Sequence, residues 1–488
     1  MKRKHICIIG FILLLIMLVS CGGGSDPIDA GDTNMTETTA ADTQAVDIDP
    51  VETHNIEKDD YGSRDFVVLY PYIQLYRNFL FSDQISGDIV SDTIYQRDQD
   101  INEYLNINIK EHQVPNWTDY YQPLLKSVQA GDSSFDLFLT HCHGEVLNTV
   151  KMNLSRNWNQ INYVDLSKSY WNQEINEMLE FSGALPLAVN DFIIPDVSVF
   201  FFNKEMAQNY ELEDIYTLVR EGNFTFDKVL EMSQEVIADL NGDGTFGQME
   251  DQVGLYTMID WQLASYGTAA DIYVASKKGD DLELTLNTTR TLSFIDKLHT
   301  LLYTELSYTW ANSAATDLNQ GGISPVRFEE GRSLFALMGS TEASVYRNAE
   351  LDFGIIPIPK LDDKQENYRC LTWSGFMGVP QTASDPDLVG KVAELLGYYN
   401  KYNVMPEFYN KQLVMKVARD DQSAEMLDII YGNIVLDFGI ILSFSSMAHE
   451  IIKQNENFTS YYEKNEPSWQ KTLNDYAEAF SQYAELNQ

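Results

Sequence analysis

A chain of 488 residues, 44 % hydrophobic and 12 % aromatic, is long enough for two sizeable lobes and is not a small disulfide scaffold. Its 73 acidic and 33 basic residues give a formal charge of −40 at pH 7, a field that repels nucleic acid and anionic lipid head groups. Polyanionic partners are thereby excluded, although most individual carboxylates need no role beyond a solvated surface.

Lys2, Arg3 and Lys4 precede an apolar run over 6–18, and Leu18-Val19-Ser20-Cys21 leads into Gly22-Gly23-Gly24. A basic start, a short apolar stretch and a small residue before the cut make a secretory signal over 1–20. The run is too short to cross a bilayer, which takes about twenty apolar residues. With a cysteine at the cut the stretch resembles a bacterial lipobox, which implies a diacylglycerol and N-acyl lipid on Cys21. Loss of the three cations with the signal would take the charge to −43. Residues 21–63 contain Gly, Thr, Ala and many acids and little that builds a core, so a disordered acidic tether is expected there. Cys7 leaves with the signal, so Cys142 and Cys370 remain as thiols, paired or free.

The globular part opens with an apolar run of strand length over 65–70. Residues 88–105 place Val90, Ile94, Ile101, Tyr104 and Leu105 on one helical face, and 106–110 alternates like a strand. A helix over 119–130 is expected to stop at Gly131, which takes a left-handed cap without a Cβ penalty. A strand over 135–140 completes a βαβαβ order, the mark of a parallel or mixed sheet with helices on both faces. Ligands of such sheets bind beyond the carboxyl ends of the strands. His141-Cys142-His143-Gly144-Glu145 falls there. Its spacing matches no standard zinc pattern, which leaves a ligand-contacting loop or an ordinary turn beside the metal reading. No nucleotide cradle and no nucleophile motif occurs.

A β-rich crossing strand over 197–202 ends at Asn203-Lys204. After an amphipathic stretch, residues 239–250 fit D-x-[DN]-x-[DN]-G-x5-E at every specified position, the spacing of a calcium loop. The ligands would be Asp239, Asn241, Asp243, the Thr245 carbonyl and a bidentate Glu250, with Gly244 at the sharp turn. A metal-free, Asx-rich turn is the alternative. Gly222-Asn223 should end one helix and Thr225 cap the next. Residues 328–339 read as helix end, turn and strand, and Ser340-Thr341-Glu342-Ala343 as the polar start of another helix.

In order, the lipobox, the acidic linker, Gly87-Asp88, Ala130-Gly131-Asp132 before Phe135-Asp136-Leu137, Phe202-Asn203-Lys204, Thr225-Phe226-Asp227, the Asp239 loop into Val253-Gly254-Leu255, Phe328 to Gly331, and Phe353-Gly354-Ile355-Ile356-Pro357 resemble the extracellular solute-binding lipoproteins of bacterial ABC importers. More narrowly they resemble the family-1, carbohydrate-type branch. One position departs, since Thr341-Glu342 stand where sugar-binding members often carry an aromatic. The resemblance implies an α/β, two-lobed periplasmic-binding-protein-like fold of type II, with two mixed sheets and a hinge of crossing segments. Lobe 1 would hold 64–190 with 353–375, and lobe 2 would hold 191–352 with 376–488. The crossings would lie near 190–197, 352–360 and 371–380, and helices over 393–399, 423–431 and 469–483 would pack on the second lobe.

Sugar recognition stacks pyranose C–H faces on Trp or Tyr and takes hydroxyls on Asp, Glu, Asn and His. The candidates are Trp373, Trp261 beside Asp260, Trp310, His143 and Glu342, with a plain core position as the alternative for each aromatic. The implied protein is a monomer, lipid-anchored on the outer side of a cell membrane. It binds a sugar or oligosaccharide and delivers it to permease subunits, without catalysis. The alternatives are a structural or adhesive surface lipoprotein and a secreted carbohydrate-active enzyme, which would need two carboxylates across a cleft.

Overall fold

The computed structural model describes residues 52–72, 79–116, 118–143, 145–247, 250–258, 262–310, 328–341, 350–414, 421–442 and 457–488, and Val51–Gln488 form one compact unit. The strands in chain order are β1 (Arg64–Pro71), β2 (Ile107–Val114), β3 (Leu137–His141), β4 (Ser198–Asn203), β5 (Val253–Met258), β6 (Ala275–Lys278), β7 (Asp281–Leu284), β8 (Ser307–Trp310), β9 (Ser333–Gly339), β10 (Phe353–Ile356), β11 (Cys370–Leu371), β12 (Gly375–Gly378) and β13 (Ile434–Val435).

The first sheet runs β12-β3-β1-β2, with β1 parallel to both β2 and β3 and β12 antiparallel to β3. As expected of a central parallel strand, β1 is covered on both faces, and Phe66, Val68, Leu69 and Tyr70 are fully buried. The crossover helix Ile89–Leu105 starts where the Asp88 carboxylate accepts from Ser91 N–H (3.1 Å) and ends at Asn106 in the left-handed conformation (φ 47°). That cap takes Asn106 out of the expected strand. The next helix, Tyr121–Ala130, stops at Gly131 (φ 69°) as its sequence requires.

The second sheet runs β10-β4-β9-β5-β8, with β4 buried along its whole length between two antiparallel partners. Here the structure corrects the expected division of the chain. The segment expected to cross at 352–360 stays in the second lobe: β10 pairs with β4, Phe226 N–H donates to the Lys360 carbonyl (2.9 Å), and Ile358 and Leu361 lie in the second core. The return to the first lobe comes at 370–375, where β11 pairs with β13, Thr372 bridges Val197, and β12 joins β3. Gly354 explains the placement of β10, because the rings of Phe202 and Tyr216 occupy the space a Cβ would take.

The expected assignment of 376–488 to the second lobe also changes. Helix Pro386–Tyr399, of which only the second half was expected, buries Leu388, Val389, Val392, Leu395 and Leu396 in the first core. Helix Asp421–Tyr431 does pack on the second lobe through Met426. The terminal helix Phe458–Leu486 serves both: Phe458 and Tyr462 lie in the second core, and Leu473, Tyr476, Phe480 and Tyr483 in the first. It starts well before residue 469 because it runs through Pro467.

A further link spans the lobes. Hairpin β6–β7 grows out of the second lobe, but Ala275 and Leu282 are buried in the first core. At its tip Asp280 accepts from the Ser182 amide (3.0 Å) and hydroxyl (2.7 Å), and Lys277 donates to the Glu177 carbonyl (3.0 Å) while sitting 4.4 Å from the Phe181 ring centre. Of the expected tether 21–63, residues 52–63 are instead laid along the first lobe with Ile56 buried, and the rest, with Cys21 and the expected signal, lies outside the described residues. Cys142 and Cys370 are both buried free thiols, and burial pushes each up to about 12.

Candidate functional site

The ends of the two sheets meet at one junction. The β12–β3 register sets Gly375 opposite His141, and the β4–β9 register sets Ser198 opposite Gly339. Trp373 joins the two. Its amide donates to the Asp196 carbonyl (3.0 Å) and its indole N–H to Ser198 Oγ (3.0 Å), which shares a hydrogen bond with Ser265 Oγ (2.7 Å). Thr372 Oγ1 reaches the same Asp196 carbonyl (3.2 Å) and lies 2.7 Å from Ser374 Oγ.

Asp196 is the carboxylate of the junction. It accepts from the Thr341 hydroxyl (2.8 Å) and amide (3.2 Å), which ties the first crossing to the end of β9. Burial pushes its carboxyl above the usual range, and the two Thr341 donors pull it back. Gly339 is needed here, because a Cβ would lie 2.7 Å from both Asp196 carboxylate oxygens. On the first-lobe side, His141 Nδ1 accepts from the His143 amide (3.1 Å), which assigns the proton to Nε2. Burial drives His141 down to about 3 and also lowers His143, so both imidazoles are neutral at pH 7. The junction offers hydroxyls, one carboxylate, two neutral imidazoles and an indole. That set matches hydroxyl-rich, uncharged molecules.

Of the residues expected to contact a ligand, Trp373 and His143 are brought to this junction. Trp373 is 9 % exposed, so in this arrangement it is chiefly a seam between the lobes rather than an open stacking platform. Trp310 ends β8, with its backbone beside Met258. Asp260, Trp261 and Glu342 lie outside the described residues. Sequence reasoning missed Asp196, Ser198 and Ser265. Asp196 did carry a signal, being the one acid between Ile193-Ile194-Pro195 and the apolar start of β4. The Cys142 side chain is packed in the first core, and among the described residues no three His, Cys, Asp or Glu side chains are gathered as a metal would require.

The acidic loop lies apart from the junction. Asp239 accepts from the amides of Gly242 (2.6 Å) and Gly244 (2.8 Å), Asn241 from Asp243 (2.9 Å), and Asp243 from Thr245 (2.8 Å). The Gly244 N–H, more than any other group, holds the Asp239 carboxyl below its usual range. The ends are pinned by a bridge between Ala238 and Gln252, and the Glu250 carbonyl accepts from Arg332 (3.1 Å). Asp239, Asn241 and Asp243 thus share one turn as hard oxygen donors. Their oxygens accept backbone N–H groups in an Asx-turn network.

No family model and no curated relative matches the chain. Solved structures do. The galacto-N-biose/lacto-N-biose I-binding protein of the ABC transporter from Bifidobacterium longum, in complex with lacto-N-biose, is 13 % identical with a TM-score of 0.55, over 86 % of this chain and 98 % of that one. The cyclic α-maltosyl-1,6-maltose binding protein from Arthrobacter globiformis is likewise 13 % identical with a TM-score of 0.55, over 87 % and 99 %. An ABC substrate-binding protein from Listeria monocytogenes, in complex with cycloalternan, is 9 % identical with a TM-score of 0.52, over 87 % and 97 %. The fold is therefore that of the two-lobed, periplasmic-binding-protein-like solute-binding proteins. These three neighbours are binding proteins for saccharides.

Proposed function

We propose that this chain is the solute-binding component of an ABC importer and that its ligand is an uncharged saccharide. The observation that carries this is the junction itself: two lobes, each with its own sheet, meet through crossing segments that present Asp196, Ser198, Thr341, Trp373 and the neutral His141–His143 pair at one place. Crossing segments act as a hinge, and a ligand that touches both lobes binds the closed arrangement more tightly and so shifts the population toward it. The chemistry needs no bond to be made or broken, and capture followed by release to permease subunits is the whole function. Hydroxyl-rich solutes suit the donor set, and the saccharides bound by the neighbours support that reading.

Anchoring completes the proposal. The Leu18-Val19-Ser20-Cys21 stretch supports a lipid on Cys21 that holds the protein at the outer face of a cell membrane, and no helix among the described residues is long and apolar enough to cross one. Calcium in the Asp239 loop would be structural, held by Asp239, Asn241, Asp243, Thr245 and Glu250, whose three acid side chains would have to draw together around it. A thermal-shift screen over neutral mono- and oligosaccharides, acidic sugars and peptides tests the central reading, because a ligand that binds only the folded state raises the melting temperature. Stabilisation by neutral saccharides, recovered chemically unchanged, is the expected result. Stabilisation by peptides alone, or turnover of the saccharide, would overturn it.

A further inference from the structure

Residues 52–63 have the composition of a free tether, yet they run along the first lobe and make contacts along most of their length. Three alternating amides, Asp59, Tyr61 and Ser63, donate to the carbonyls of Tyr104 (3.2 Å), Leu105 (3.0 Å) and Asn106 (2.8 Å). Those carbonyls are at the C-terminal end of helix Ile89–Leu105, where a helix leaves its last acceptors without intrahelical partners. The segment therefore satisfies backbone acceptors that the helix end leaves open. Side chains fix its register. Asp59 pairs with Lys391 (2.7 Å), Asp60 accepts from Asn106 Nδ2 (2.6 Å), and the Tyr104 hydroxyl donates to the Ile56 carbonyl (3.0 Å). The Ile56 side chain is buried, and His54 sits edge-on to the rings of Tyr104 and Tyr398, at 5.8 and 4.8 Å between centres. At the far end, Glu52 receives the Ser169 amide (3.1 Å) and gives its own amide to the Tyr402 hydroxyl (3.1 Å).

Tyr104, Tyr398, Tyr399 and Tyr402 all pack on the first core, and Lys391 is on the helix that fills it. We propose that residues 52–63 are a strap that fastens the N-terminal segment to the first lobe alone. Rotation of the second lobe about the crossings then leaves the strap unstrained, and the chain enters the body at Glu52, beside Ser169 and Tyr402, instead of at β1.

The sequence supplies a clean probe. Lys58 is the first Lys or Arg after Lys4, and although its side chain is exposed, the backbone on either side is held through the Ile56 carbonyl and the Asp59 amide, so trypsin, which needs a free extended segment, cleaves there only when the strap lifts away. The full chain is digested briefly with trypsin and cleavage after Lys58 is followed by mass spectrometry, for the wild type, the double variant His54→Ala, Ile56→Ala, and the milder Lys391→Gln, which breaks the pair with Asp59 and leaves the Lys58-Asp59-Asp60 cleavage site unchanged. Cleavage should be slow in the wild type and faster by about ten-fold or more in the double variant, with Lys391→Gln between them. The melting temperature of the body is read alongside, and if the double variant unfolds, Lys391→Gln decides alone. Lys58 cleaved as fast in the wild type as in the variants would overturn the strap. This result is independent of the anchor, which fails separately if Cys21→Ser leaves detergent partition unchanged.

Discussion

Trp373 gives the sharpest test of the junction, because two substitutions separate its roles. Trp373→Phe keeps an apolar ring between the lobes but removes the indole N–H that reaches Ser198 Oγ at 3.0 Å. Ser198 keeps its 2.7 Å bond to Ser265, so no buried hydroxyl is orphaned, and the loss should be that of one neutral hydrogen bond, about 1 kcal/mol. Trp373→Ala removes a side chain that is only 9 % exposed and leaves a cavity between the lobes, a change of about 3–5 kcal/mol in well-packed cores. Urea unfolding measures both, and isothermal titration with a saccharide found by the screen measures binding. The alanine variant should bind more weakly by about 1–3 kcal/mol, and the phenylalanine variant should stay within a few-fold of wild type. If the alanine variant folds with wild-type stability and binds as well, Trp373 is neither seam nor site and the junction has been misplaced.

Three further outcomes are expected. Chelation should lower the melting temperature, and Asp243→Ala should abolish the response, since an ion stabilises only the fold that presents its ligands; an unchanged melting curve with chelator removes calcium from the account. Asp437, the cap of helix Phe438–Ile441, is pushed by burial up to about 7 while the amides of Gly439 and Val274 pull it back. Its folded value lies above the ordinary 3.8, so its contribution to stability is complete below about pH 4 and is lost as pH rises through about 7. Asp437→Asn should therefore flatten the fall in stability between pH 5 and 8, by a difference on the order of 2–4 kcal/mol, and parallel profiles would contradict the assignment. Cys21→Ser should abolish lipid attachment, leaving the protein released or as precursor; partition into detergent like the wild type would show that the lipobox reading is wrong.

The first sheet was legible because each of its signals is local: a continuous apolar run for β1, the helical spacing of Val90, Ile94, Ile101 and Leu105 after it, Gly131 as a stop. Residues 353–378 were not. Phe353-Gly354-Ile355-Ile356 and Gly375-Phe376-Met377-Gly378 are both short apolar runs with glycine and no useful period, and which sheet each joins is decided by tertiary fit. Gly354 lies under the Phe202 ring of β4, and Gly378 under the Phe138 ring of β3, so each run has room only where its glycine meets that ring. Pro467 hid the first turns of the terminal helix for a similar reason, since a propensity rule cannot see that packing on two cores carries the helix through it. At the junction, Trp373 and His143 could be singled out as candidates because an aromatic between small residues and a histidine after a strand stand out. Asp196 did not, because one acid beside a proline reads as a turn until Thr341 is seen to reach it. The strap was lost to composition: acidic, small residues look like a tether, and only Lys391 and the tyrosines around His54, distant in sequence, give Asp59 and His54 partners.

Closure of the two lobes on a solute is read directly by small-angle scattering in solution. Recorded with and without a saturating saccharide from the screen, the radius of gyration should fall on binding, because a ligand that touches both Thr341 of the second lobe and the first lobe at the junction favours the arrangement in which both lobes reach it. Saturation with no compaction, confirmed by titration under the same conditions, would contradict the account.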